Sequence, residues 1–186
     1  SAITRSGIYY GEAYDARLEK KGWAQSGFND AGWLGVRAID VSKENLIAAY
    51  APPVLKHETF KAAKIFKTPK GETVVDFGQN LVGWITLKVT GKAGHKIKIQ
   101  HAEVLTKEGN FYTENLRAAQ AEILYTLNGS IEEVYEPHLS FFGFRYVKVE
   151  GYPGELKAEN ISAAAVYSDM TPTGNFSSSN ALLNQL

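Results

Sequence analysis

Between Val74 and Glu103 the sequence VVDFGQNLVGWITLKVTGKAGHKIKIQHAE leaves room for little except extended, half-buried strands. Ile85, Leu87 and Val89 alternate with Trp84, Thr86, Lys88 and Thr90, and Ile97 and Ile99 alternate with Lys96, Lys98 and Gln100. That is the period of two at which successive side chains fall on opposite faces of a sheet. Thr90-Gly91-Lys92-Ala93-Gly94 supplies the turn between them. Carried past Ile99, the buried parity lands on His101 and Glu103, two ionisable groups aimed at the core that need partners or a ligand.

The rest of the chain repeats this pattern with little helical periodicity. Ile8 to Arg17 reads as one strand, with Ile8, Tyr10, Glu12 and Tyr14 on one face and Asp15 and Arg17 sharing the other. For Asp15 and Arg17 an ion pair tying down a loop outweighs a ligand site, because structural pairs also perturb charges. Trp23, Phe28 and Trp33 gather around a turn. Three aromatics so close can stack on sugar rings, though more often they plug the edge of a sandwich. Leu34 to Val41 is a short strand, Pro52-Pro53 is a boundary, and strand-like His57 to Phe66 leads to Thr73 to Phe77, which Gly78-Gln79-Asn80 interrupts. Beyond Glu103 a polar loop runs through Arg117 to strands at Glu122 to Leu127, Phe141 to Glu150 and Ile161 to Tyr167. Many short strands at close spacing predict an all-β antiparallel sandwich of the jelly-roll kind.

In the strand from Phe141, Arg145 shares the parity of Val147 and Val149, so His101, Glu103 and Arg145 all fall on predicted inward faces. The expectation is that they meet, with Glu103 and Arg145 as a buried pair and His101 beside it. Such a network fixing the loop through Arg117 outweighs a catalytic role, because breaking one side of a buried pair costs about 3–5 kcal/mol.

Several function classes are excluded or weakened. Lys+Arg and Asp+Glu both number 20, and no stretch concentrates positive charge, which argues against nucleic acid. Without cysteine there is no disulfide, thiolate or cysteine-bound zinc, and the four histidines stand singly, so no metal is expected. The compartment stays open. No run approaches the roughly 20 apolar residues of a membrane span. Acidic residues are so numerous that some pair at glycosidase spacing is inevitable, and carboxylates alone carry no argument for hydrolysis. Ser179 caps a helix-like Asn180 to Leu186 of about two turns, which reads as the start of a helical part of a larger protein.

DFGQNLVGW (Asp76 to Trp84), HAEVL (His101 to Leu105), GNFYTENLRAA (Gly109 to Ala119) and FFGFRYVKVEG (Phe141 to Gly151) resemble bacterial α-L-rhamnosidases in order and spacing. GEAYDARLEKKGW with GFNDAGW resembles the end of that family's amino-terminal β-domain, and GNFSSSNALLNQL is similar to the lead-in to its catalytic barrel. The resemblance implies three parts: residues 1–55, the end of an incomplete amino-terminal β-domain; 56–173, a concanavalin-like sandwich; and 174–186, a linker and helix start. It implies an inverting hydrolase of terminal α-L-rhamnose whose carboxylates sit in a downstream (α/α) barrel, so no catalytic residue, cofactor or metal is expected here. The barrel of the same parent chain is the implied partner. Phe142 departs from the family, where His often precedes the Gly-Phe-Arg-Tyr run. The alternative is a module binding rhamnose-containing carbohydrate, with Trp84 or Tyr112 stacking on sugar and Asn115 or Arg117 bonding its hydroxyls.

Overall fold

A computed structural model describes residues 1–185. The first departure from the alternating pattern comes at a glycine. β1 (Ile3–Gly7) and β2 (Gly11–Asp15) form a hairpin, and Ile8, Tyr9 and Tyr10 are its exposed turn instead of the start of a strand through Arg17. Gly11 has φ of +82°, and a Cβ there would stand 1.8 Å from the Glu122 carbonyl oxygen, so the reversal and the close approach both require glycine. After Asp15 the chain turns as a 3-10 helix, Ala16–Leu18, in which the Arg17 amide donates to the Asp15 carboxylate.

From residue 19 to residue 53 there is no strand. The predicted strand Leu34 to Val41 is absent, and Leu34 and Val36 are 94% and 97% exposed. Alternation alone does not make a strand, because a strand needs a neighbour to take its backbone hydrogen bonds, and this segment has none among the described residues. Trp23 and Trp33 are likewise exposed and plug no sandwich edge.

β3 (Val54–Lys61) and β4 (Lys64–Lys67) are separate, parted at Ala62 and Ala63, where a single strand was predicted. The opposite holds for β5 (Thr73–Val89), which runs through Gly78-Gln79-Asn80 as one strand of 17 residues. Its register shifts between Asp76 and Leu81, where Gly78 takes φ of +87° and donates its N–H to Asp76 Oδ1. Such a bulge bends a strand without ending it. Val75, Phe77, Leu81, Ile85, Leu87 and Val89 are buried on both sides of the bend.

The remaining strands are β6 (Lys96–Ala102), β7 (Glu122–Thr126), β8 (Glu133–Tyr135), β9 (Phe142–Glu150) and β10 (Ile161–Ser168). The short helix α1 (Ala181–Gln185) is capped by the Asn180 side chain on Leu182 N, not by Ser179; the final predicted helical position, Leu186, lies outside the described residues. Hydrogen bonding joins the strands in the order β1-β2-β7-β6-β9-β5-β10-β3, with β4 and β8 also on β5. Pairing is antiparallel except for β2 with β7, which is parallel. β5 and β6 do not pair with each other, since β9 lies between them and bonds both. The result is an all-β architecture, a mixed sheet curled into a half-barrel. Ile85, Leu87, Ile97, Ile99, Ile123, Leu127, Phe144 and Ile161 are fully or almost fully buried in its core.

Candidate functional site

His101, Glu103 and Arg145 are not brought together as a charge network. β6 ends at Ala102, so Glu103 lies beyond the strand, half-buried, and accepts from Asn80 Nδ2 at 3.2 Å and Asn115 Nδ2 at 3.5 Å. Arg145 is also half-buried and pairs with Asp76: its Nε and one terminal nitrogen donate to the two carboxylate oxygens, each at 2.9 Å. The expected pair with Glu103 is therefore replaced. The β9 parity shifts beside the β5 bulge, with Phe142 and Phe144 buried on one register and Val147 and Val149 on the next, which carries Arg145 off the apolar face. The Arg145 bond holds the Asp76 carboxyl below its ordinary range against the opposing effect of burial. Arg145→Lys keeps the charge and loses the fork, so about 1 kcal/mol of stability is expected to disappear, read as a small shift of the denaturant midpoint.

His101 is fully buried, its ring stacked on Phe142 at 4.0 Å between centroids and edge-on to Phe144. Nδ1 lies 2.8 Å from the Ala121 carbonyl oxygen, which makes it the protonated nitrogen, and Nε2 has no partner. Burial lowers the pKa from 6.5 to about 4, overriding the Ala121 bond that favours protonation. Asp15 and Arg17 form a forked pair at 2.7 and 2.9 Å on the surface.

Of the four candidate sugar contacts only Trp84 lines a groove. Trp84 is half-buried on β5 and lines a groove of about 910 Å³ with residues of β3, β10 and the β5 bulge, including Asn80. Tyr112 is half-buried in the loop after β6, where Asn115 and Arg117 are exposed, and none of the three lines that groove. Trp84 donates its indole N–H to Glu136 at 2.8 Å, and the same carboxylate accepts from Thr86 and Lys56. Burial opposes ionisation of Glu136, but these three donors prevail and hold its pKa below the ordinary range.

The most deeply buried carboxylate went unflagged in the sequence. Glu12, with no exposed surface, accepts from the Tyr135 hydroxyl (2.9 Å), His138 Nδ1 (3.0 Å) and the amides of His138 (2.9 Å) and Leu139 (3.1 Å). Its signal was present, an acid on the parity of Tyr14, yet the partner loop lies over 120 residues away. Glu133 similarly accepts from the Tyr125 hydroxyl and the amides of Asn128 and Gly129. Burial first, then the facing carboxylates, raises the pKa of both tyrosines. A cavity of about 300 Å³ lies here between Tyr14, Glu19, Tyr135 and His138.

Glu12, Glu103, Glu133 and Glu136 are thus each occupied by two to four donors, which suits them to holding loops and not to exchanging protons with a substrate. Among the described residues no three His, Cys, Asp or Glu side chains stand in reach of a common metal ion, and no helix is long and apolar enough to cross a membrane.

Residues 66–167 match the bacterial alpha-L-rhamnosidase concanavalin-like domain, and residues 1–58 match the alpha-L-rhamnosidase N-terminal domain. An alpha-L-rhamnosidase of Streptomyces avermitilis is 40% identical over 99% of this chain, and one of Formosa agariphila is 33% identical over the same share. The chain spans only 18% and 20% of those two proteins, about a fifth of their length. Among solved structures, native alpha-L-rhamnosidase from Aspergillus terreus superposes with a TM-score of 0.92 at 44% identity, covering 99% of this chain and 21% of that one. The alpha-L-rhamnosidase from Dictyoglumus thermophilum gives 0.91 at 37% identity, with the same coverage.

Proposed function

Since the chain belongs to the alpha-L-rhamnosidase family, with its matches in the N-terminal and concanavalin-like domains, we propose that it serves as a non-catalytic β-region supporting the catalytic (α/α) barrel of a longer chain. The parent hydrolyses terminal α-L-rhamnose from glycosides. The observation that carries this reading is the match over 99% of this chain to only a fifth of relatives named as enzymes. Residues 1–55, 56–173 and 174–186 keep their assigned parts in the proposal, with β1 and β2 of the first part hydrogen-bonded into the sheet of the second.

The test compares the isolated chain with its full-length parent on a chromogenic α-L-rhamnoside. Turnover is expected from the parent alone, and turnover by the isolated chain would overturn the proposal. Titrating the isolated chain with L-rhamnose in a calorimeter, with and without calcium, is expected to give no saturable heat. Saturable heat would favour a rhamnose-binding module instead.

A further inference from the structure

We propose that the cavity between β2, β7 and β8 binds a small organic cation, a primary alkylammonium whose head lies among Tyr14, Glu19 and His138 and whose chain runs out toward Trp23 and Trp33. Such a site is independent of the barrel-supporting role. The parallel register of β2 and β7 sets Tyr14 beside Tyr125, and β8 adds Tyr135. The three rings line a cavity of about 300 Å³ with their centroids 4.5 to 5.9 Å apart.

Charge around the cavity has one sign. Glu12 and Glu133 are buried beside the rings, and all their donors are hydroxyls, backbone amides or the His138 imidazole. Glu19 lines the cavity, and its carboxylate has no partner among the described residues. Of the lining carboxylates only Glu136 has a cationic partner, Lys56, and no Lys or Arg lines the cavity itself. Carboxylates gathered without a cation hold a negative potential that draws one, and tyrosine rings add to it through the partial negative charge on their faces. Tyr14 registers this field: burial first, then the charges of Glu19 and Glu12, raise its pKa.

A metal ion fits worse than an ammonium. Among the described residues no three His, Cys, Asp or Glu side chains stand in reach of one ion, and the buried carboxylates already accept from the protein's own donors. What the cavity leaves open are acceptors. Tyr14 is only 9% exposed, and its hydroxyl has no hydrogen-bond partner among the described residues. Of such unpartnered side-chain atoms only His101 Nε2 is wholly enclosed, so the Tyr14 hydroxyl opens to the space it lines. His138 holds Glu12 through Nδ1, which leaves Nε2 of the neutral ring as an acceptor on a half-exposed side chain. With the Glu19 carboxylate these atoms suit a cation bearing several N–H donors, which a primary ammonium has and a quaternary one lacks. Tyr14, Glu19 and His138 also line an adjoining hollow of about 660 Å³, whose wall includes Leu18, Trp23, Trp33 and Leu34 and takes an alkyl chain. The Lys20 ammonium already lies 5.3 Å from the centre of the Trp33 ring there.

The experiment titrates the chain with n-hexylammonium chloride at constant ionic strength and follows the NMR signals of Tyr14, Glu19 and His138. A saturable shift of all three is expected, with an affinity about tenfold tighter than that of N,N,N-trimethylhexylammonium, which has the same charge and tail without N–H donors. Methylammonium, which lacks the tail, is also expected to bind about tenfold more weakly. Tyr14→Phe keeps the ring and loses only the unpartnered hydroxyl, so the melting temperature is expected to hold while the affinity falls about tenfold. Glu19→Gln alters an exposed side chain and is expected to fold as the wild type and to weaken binding about threefold. The absence of a saturable shift would overturn the proposal. So would the same shifts from sodium chloride, an equal affinity for the trimethylated compound, or binding that both variants leave unaltered.

Discussion

Glu12→Ala is expected to cost about 4 kcal/mol of stability and to lower the melting temperature by roughly 10 °C, the larger of the two strongest effects. The substitution leaves the amides of His138 and Leu139 and the Tyr135 hydroxyl without the acceptor that the fully buried Glu12 carboxylate supplies. It also opens a cavity at the point where the β1–β2 hairpin is joined to the loop before β9. Glu12→Gln is expected to be much milder, about 1–2 kcal/mol, because the amide oxygen can keep both backbone donors at Oε2. Its nitrogen then meets only Tyr135 and His138, whose hydroxyl and imidazole can turn to accept. Thermal unfolding followed by circular dichroism gives the order wild type, Gln, Ala. Equal costs for the two variants would show that charge, not the two backbone amides, governs the site.

Acidification from pH 6.5 to about 4 is expected to remove about 3 kcal/mol through His101 alone. In the unfolded chain the imidazole takes a proton near its ordinary value of 6.5, while in the folded protein burial delays this to about 4. Between those values the unfolded state binds the extra proton and gains from falling pH. The His101 contribution is therefore complete above pH 6.5, declines as pH falls, and is spent once the folded state also protonates near 4. Asp76 and Glu136, whose pKa values are held below the ordinary 3.8 and 4.5, lose their contributions only at lower pH, so the upper part of the window isolates the histidine. His101→Phe keeps an aromatic face against Phe142, and the Ala121 carbonyl keeps its bond from the backbone amide of residue 101. Denaturant unfolding of this variant at pH 7 and pH 4.5 should show a flatter profile than wild type. An unchanged slope would mean that other groups carry the acid sensitivity.

The buried faces of the long strands were legible because burial follows a local period. Ile85, Leu87, Val89, Ile97 and Ile99 all lie in the core as their alternation predicts. Gly78 was legible as an irregular position and takes φ of +87°, but it makes a bulge within β5 and not the interruption the sequence predicts. Arg145 shows where a local pattern stops: consecutive apolar or charged positions look the same whether a strand is regular or irregular, and a shift of one residue reverses every face beyond it. Leu34 to Val41 shows the second limit, since its pattern is that of a strand but its neighbour is missing.

By itself the sequence determined the strand class, the absence of cysteine chemistry and, through motifs in order, the family. Only the tertiary structure decided that β9 separates β5 from β6, that Arg145 meets Asp76, and that Glu12 holds a loop more than 120 residues away. The reason is physical. Side-chain period and turn chemistry are written in neighbouring residues, whereas a buried carboxylate finds its donors through the packing of strands distant in sequence, and no local pattern encodes which strands will meet.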